Sequence, residues 1–127
     1  MKEIITSNAP KAVGPYSQAV KARNLVFCSG QIGLDPQTNT LVKGGIEQET
    51  KQIFNNLLQV LKAAKVNFSN VLRVDIFLTN INDFPKVNQI YSQYFTSNIK
   101  PARQTVAVKS LPKEALIEIS CIAYIEK

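Results

Sequence analysis

The segment from Val71 to Thr79 alternates cleanly. Leu72, Val74, Ile76 and Leu78 fall on one side of an extended chain, and Arg73, Asp75, Phe77 and Thr79 on the other. A period of two is the mark of a strand with one buried face. Two further strands are expected at Ser17–Ala22 and Leu25–Gly33, turning through Arg23-Asn24, after a short β-like piece at the N-terminus. After Gly44-Gly45 the period changes. Ile46, Ile53, Leu57, Val60, Leu61 and Ala64 recur at helical spacing, with Phe54 beside the stripe, and predict a core-facing helix to about Lys65. A second helix is expected after Asn82-Asp83, which supply cap chemistry, with Pro85 tolerated in its first turn. Its apolar face is Phe84, Val87, Ile90, Tyr91, Tyr94 and Phe95, and it must end before Pro101. Two last strands follow, Arg103 to about Leu111 and Leu116–Ile125, with 111–115 read as a hairpin connection between them.

The order β-β-β-α-β-α-β-β predicts one α+β domain over residues 1–127, a mixed six-stranded sheet with both helices on one face. The final strand is apolar on both sides. Ile117, Ile119, Cys121, Ala123 and Ile125 line one, and Leu116, Glu118, Ser120, Ile122 and Tyr124 the other. Two helices cover one face only, so another subunit is the simplest cover for the second.

Composition narrows the chemistry. The 127 residues are 45% hydrophobic and 19% charged, as in an ordinary globular domain. No apolar run approaches the roughly 20 residues of a membrane span. The first residues, Met1 to Thr6, do not resemble a signal peptide, so a cytoplasmic protein is expected. There is no histidine. Ser-His-Asp and Cys-His catalysis and histidine metal sites are therefore excluded, and acid–base work falls to Glu, Asp, Lys, Tyr, Cys or bound water. Cys28 and Cys121 lie within apolar strand segments and read as buried, inert thiols. The formal net charge is +6, but the lysines are scattered and no stacking motif accompanies them, so a nucleic-acid groove is not expected.

Four positions then stand out. Arg103 is one of few arginines in a lysine-rich chain, and it sits at a strand start just after the Lys100-Pro101 break, where its rigid fork can grip a carboxylate. Glu118 lies mid-strand between isoleucines, where a carboxylate must be paired or have a raised pKa. Pro15 fixes the backbone before Tyr16 and can display its phenol. Asn88 lies on or beside the apolar face of the second helix, and its amide needs a partner or a ligand. Gly30 and Gly33, within or just after a strand, mark a bulge or a close backbone approach.

Five motifs occur in register along the chain: Gly14-Pro15-Tyr16-Ser17-Gln18-Ala19, Ser29-Gly30-Gln31-Ile32, Asn82-Asp83-Phe84 with Val87-Asn88, Pro101-Ala102-Arg103, and Leu111-Pro112-Lys113 followed by Ile117-Glu118-Ile119. With these the chain resembles the Rid (YjgF) family of reactive-intermediate imine deaminases over its whole length. The resemblance implies a chorismate-mutase-like fold and a homotrimer with pockets at the subunit interfaces. It implies hydrolysis of 2-aminoacrylate and other 2-imino acids, released by pyridoxal-phosphate dehydratases, to 2-oxo acids and ammonia, with no metal or organic cofactor. Arg103 matches the arginine that clamps the substrate carboxylate, and Glu118 the glutamate that orients or activates water. Tyr16, Ser29, Gly30 and Asn88 match pocket positions. Thr105 stands at a substrate-binding position where many members carry cysteine. Two other readings fit the same residues: a trimeric carboxylate-binding regulatory protein, which needs Arg103 but not Glu118, and an RNA-binding or RNA-cleaving protein.

Overall fold

The computed structural model describes residues 1–126. Six strands and two helices form in the expected order: β1 (Lys2–Ile4), β2 (Ala19–Ala22), β3 (Leu25–Gln31), α1 (Gly45–Ala63), β4 (Val71–Leu78), α2 (Phe84–Tyr94), β5 (Ala102–Ala107) and β6 (Ile117–Tyr124). They make one mixed sheet in the order β1-β2-β3-β6-β4-β5. Both helices contribute to one core with a single face of that sheet. Val26, Val74, Ile76, Leu78, Ile117, Ile119 and Ala123 from the strands pack with Ile53, Phe54, Leu57, Val60, Leu61, Val87 and Ile90 from the helices. The chain turns tightly between β2 and β3 at Arg23-Asn24, with Arg23 at φ 56°.

The last two strands do not form a hairpin. β5 is shorter than the alternation suggested and pairs parallel to β4 at the sheet edge, whereas β6 lies between β3 and β4, antiparallel to both. Segment 108–116 therefore crosses the end of β4. A 3-10 turn at Pro112–Glu114 holds Lys113 and Glu114 in left-handed conformations, φ 56° and 57°. Two such residues in succession store strain, and strain of this kind collects at functional sites.

Three smaller expectations are also corrected. Leu72 does not share the buried face of β4. A register shift between Val71 and Arg73 makes it the extra residue of a bulge, and it is 44% exposed. The cap before α2 comes from Asn80, whose side chain accepts from the Asn82 backbone N–H and opens a 3-10 turn at Ile81–Asp83; Asp83 makes no side-chain cap. Phe54 is not beside the core but at its centre. It is fully buried, stacked on Tyr94 at 4.5 Å and edge-on to Phe68, Tyr91 and Phe95.

Both cysteines are free, buried and directly opposite each other on β3 and β6. The Cys28 thiol beside it and burial hold the Cys121 thiol well above the usual range. The other face of the sheet is uncovered in the protomer. Phe27, Leu72 and Val106 are exposed there, and Phe77, Ile122 and Tyr124 are half-buried.

Candidate active site

Glu118 projects from the middle of β6 onto the uncovered face, since its neighbours Ile117 and Ile119 are fully buried on the helix side. Across the sheet, β3 shifts register between Cys28 and Gln31, so the expected bulge falls at Ser29-Gly30. Gly30 leaves the Glu118 carboxyl room where it stands. A β-carbon at this position would stand 2.6 Å from Glu118 Oε2. Burial pushes the Glu118 carboxyl above the ordinary glutamate range. A cavity of about 330 Å³ opens beside it, lined by Tyr16, Val13, Gly30, Ile32, Lys11 and Lys113 among others. Tyr16 is 52% exposed, its ring displayed as the preceding proline suggested.

The wall of this cavity is anchored by a residue the sequence did not single out. Gln18 is buried, and its amide accepts from Thr6 N–H at 2.8 Å and donates to the carbonyls of Thr6 and Pro10 at 3.0 and 2.8 Å. One side chain thus satisfies backbone groups at Thr6 and Pro10. A polar residue at the head of a predicted strand, four positions after a Gly-Pro turn, was the available signal. Ser29 does not line the cavity. Its hydroxyl donates to the Ser17 carbonyl and ties β3 to the chain following Tyr16.

A second buried group the pattern missed is Glu49, on α1. Its Oε1 accepts from the Leu116 backbone N–H at 2.9 Å, fixing the entry to β6 one residue before Ile117. Burial raises its pKa and that hydrogen bond opposes the rise. Gly33, two residues past the end of β3, lets the chain approach this point of α1 closely, since a β-carbon there would stand 2.9 Å from the Glu49 Cα.

Arg103 lies elsewhere. It pairs in register with Val74, and Thr105 with Ile76, so both point to the helix side of the edge strand. There Arg103 Nη1 donates to Asn88 Oδ1 at 2.7 Å, and the guanidinium carbon sits 4.7 Å from the ring centre of Tyr91 and 5.2 Å from that of Phe84. Asn88 therefore has its partner, and the partner is the arginine. The Thr105 hydroxyl oxygen is buried without a hydrogen-bond partner. A wider cavity, about 670 Å³, runs from Arg103 past Tyr91, Ser92, Phe95 and Lys100.

The seven positions picked from sequence thus divide into two groups. Tyr16, Gly30 and Glu118 gather on the uncovered face, with Ser29 behind them. Asn88, Arg103 and Thr105 gather on the helix side of the edge strand. Glu118 pairs with Phe77, three residues along β4 from Val74, the partner of Arg103. The two positions are separated by two strand spacings, roughly 10 Å, and a comparable length along the strands, and they face opposite ways. A small imino acid cannot touch both side chains of one protomer.

The family model described as endoribonuclease L-PSP matches residues 6–125. The chain belongs to the Rid (YjgF/RutC) family. A RutC family protein of Pyrococcus horikoshii is 50% identical over 127 residues, covering 99% of this chain and 100% of that one. The human protein named 2-iminobutanoate/2-iminopropanoate deaminase is 49% identical over 120 residues, 94% of this chain and 87% of its own length. The crystal structure of a Rid family protein of Yersinia pestis superposes with a TM-score of 0.95 at 45% identity, covering 98% of both chains.

Within this Rid chain, no group of three or more His, Cys, Asp or Glu that could hold a metal ion occurs among the described residues. No helix among them is long and apolar enough to cross a membrane. The chemistry on offer is a fixed guanidinium, an unpartnered buried hydroxyl, and a carboxyl whose proton affinity is raised. The steric link between Gly30 and Glu118 sets a test. Gly30→Ala should leave the melting temperature within a few degrees of wild type, because the carboxyl can swing aside. Where Glu118 serves as an acid–base group, the rate of the reaction it serves should fall by about 100-fold, since a displacement of about 1 Å is enough for that.

Proposed function

We propose that this protein is a cytoplasmic 2-imino acid deaminase, hydrolysing 2-aminoacrylate and related imines to 2-oxo acids and ammonia without a cofactor. It would act as a homotrimer whose sites are completed between protomers. The observation that carries this reading is Glu118. A carboxylate-binding regulatory protein has use for Arg103, but none for a half-buried carboxyl with a raised pKa packed against a glycine that leaves it room.

The chemistry asks little of the protein. The enamine 2-aminoacrylate takes a proton from water at C3 to become 2-iminopropanoate, and its iminium carbon is already electrophilic. Arg103 and the Thr105 hydroxyl would hold the substrate carboxylate of one protomer's half-site. Glu118 of the neighbouring half-site would take a proton from water as its oxygen bonds to the imine carbon. The same carboxyl would return that proton to the carbinolamine nitrogen, then take the hydroxyl proton as the C–O bond becomes C=O, the C–N bond breaks and ammonia leaves; passing that proton to ammonia or water restores the carboxylate. Positioning and one acid–base group, worth on the order of 100- to 10,000-fold, cover such a demand. The uncovered face carrying Phe27, Leu72 and Val106 supports the assembly, since a face of that character requires a cover.

The test generates 2-aminoacrylate with a serine dehydratase and follows its absorbance. Wild type should speed the decay. A wild-type rate equal to the uncatalysed one across several imino acids would sink hydrolysis and leave carboxylate binding as the function. Mixing tests the shared sites. In trimers reassembled from equal parts Arg103→Ala and Glu118→Gln, one half times one half, about a quarter, of the sites join an intact arginine to an intact glutamate. Recovery of about a quarter of wild-type activity from two inactive parents is the expected result. No recovery would mean that both groups act within one protomer.

A further inference from the structure

Arg103 sits on an exposed edge strand, where a long side chain ordinarily samples many rotamers. Here it does not stand free. Phe84, Asn88 and Tyr91 follow one another at spacings of four and three along α2, so they share one helix face. That face meets the guanidinium through two rings, at 5.2 and 4.7 Å, and through one amide oxygen at 2.7 Å. Among the described residues no carboxylate lies within ion-pair distance of Arg103. Its charge is therefore oriented but not neutralised.

We propose that Phe84, Asn88 and Tyr91 are positioning residues that hold the Arg103 fork for the substrate carboxylate, and that Asn88 acts through the arginine and not on the substrate. This rests on the carboxylate-clamp part of the reading above. Each partner suits that task. A ring face attracts the cation without consuming a donor. An amide oxygen takes one N–H and leaves the remaining donors and the full charge available. An aspartate of the same shape would instead pair with the guanidinium and compete with the incoming carboxylate.

The experiment titrates the intact protein with 2-oxobutanoate, a 2-oxo acid of the product class, by NMR, beside imine kinetics and melting curves. Tyr91→Leu should raise Kd and KM by about 3- to 30-fold, the span of a partly desolvated cation–π contact, with kcat changed much less. Tyr91→Phe should stay within about twofold, because the ring is retained. Asn88→Asp should weaken binding more than Asn88→Ala does, although it is the closer match in shape. In an Arg103→Ala background the Tyr91→Leu factor should vanish, because the residue acts only through the arginine. A merely structural role would cost the same factor in both backgrounds.

The proposal is overturned if Asn88→Asp binds as well as Asn88→Ala, if Tyr91→Leu costs the same without Arg103, or if wild type does not bind the 2-oxo acid. Wild type that binds it but hydrolyses no imine would end the deaminase reading alone.

Discussion

Glu118→Gln is expected to lower kcat for 2-imino acids by about 100- to 10,000-fold, the usual worth of a general acid–base group. Glutamine keeps the shape beneath Gly30 but cannot take the proton from water. The same substitution should make the protein more stable, and increasingly so as pH rises. The sign follows from burial. A carboxyl whose folded pKa is raised favours folding while it is protonated, and that contribution is lost as pH rises through the folded pKa. Glutamine mimics the protonated form at every pH. The melting temperature of the variant should therefore match wild type below the ordinary glutamate range and exceed it at neutral pH. Wild-type activity should fall on the acidic side with a midpoint above that of a normal glutamate, and the variant should show no such limb. A variant that is both inactive and less stable at pH 7 would mean that Glu118 is a structural carboxylate, paired by a group on another subunit.

Arg103→Ala should lower kcat/KM by about 30- to 1,000-fold, the loss of a charge-assisted, two-pronged hydrogen bond worth about 2–4 kcal/mol. Most of the loss should fall in KM, because the carboxylate is held before and during the reaction alike. Arg103→Lys should recover little. A lysine keeps the charge, but it lacks the planar fork that Asn88 and the two rings hold in place. Folding should be nearly unaffected, since Arg103 is exposed on an edge strand and no ion pair is lost. Equal KM values for wild type and Arg103→Ala would remove the carboxylate clamp from the mechanism.

Local pattern carries a good part of this protein. The period of two at Val71–Thr79 and the helical stripe from Ile46 arise within single elements, and each element formed where its spacing put it. Gly30 and Gly33 could be read because glycine in a strand has few explanations, and both proved to be close approaches. The buried polar anchors were hidden for the opposite reason. Gln18 satisfies backbone groups across a loop and Glu49 one 67 residues away, and no periodicity reveals either partner.

Long-range pairing lay beyond the pattern. Residues 111–115 look like a hairpin connection because two apolar strands flank them. Whether those strands pair with each other depends on what else competes for their edges, and β6 found better partners in β3 and β4. That outcome bears directly on the site. It leaves β5 at the edge, parallel to β4, with Arg103 directed to the helices, while the centre of β6 directs Glu118 the other way. Residue types and their spacing were enough to name the arginine and the glutamate. Only the register of the assembled sheet shows that one protomer cannot bring them together, because the face on which a side chain emerges is set by strand pairing and not by the identity of the residue.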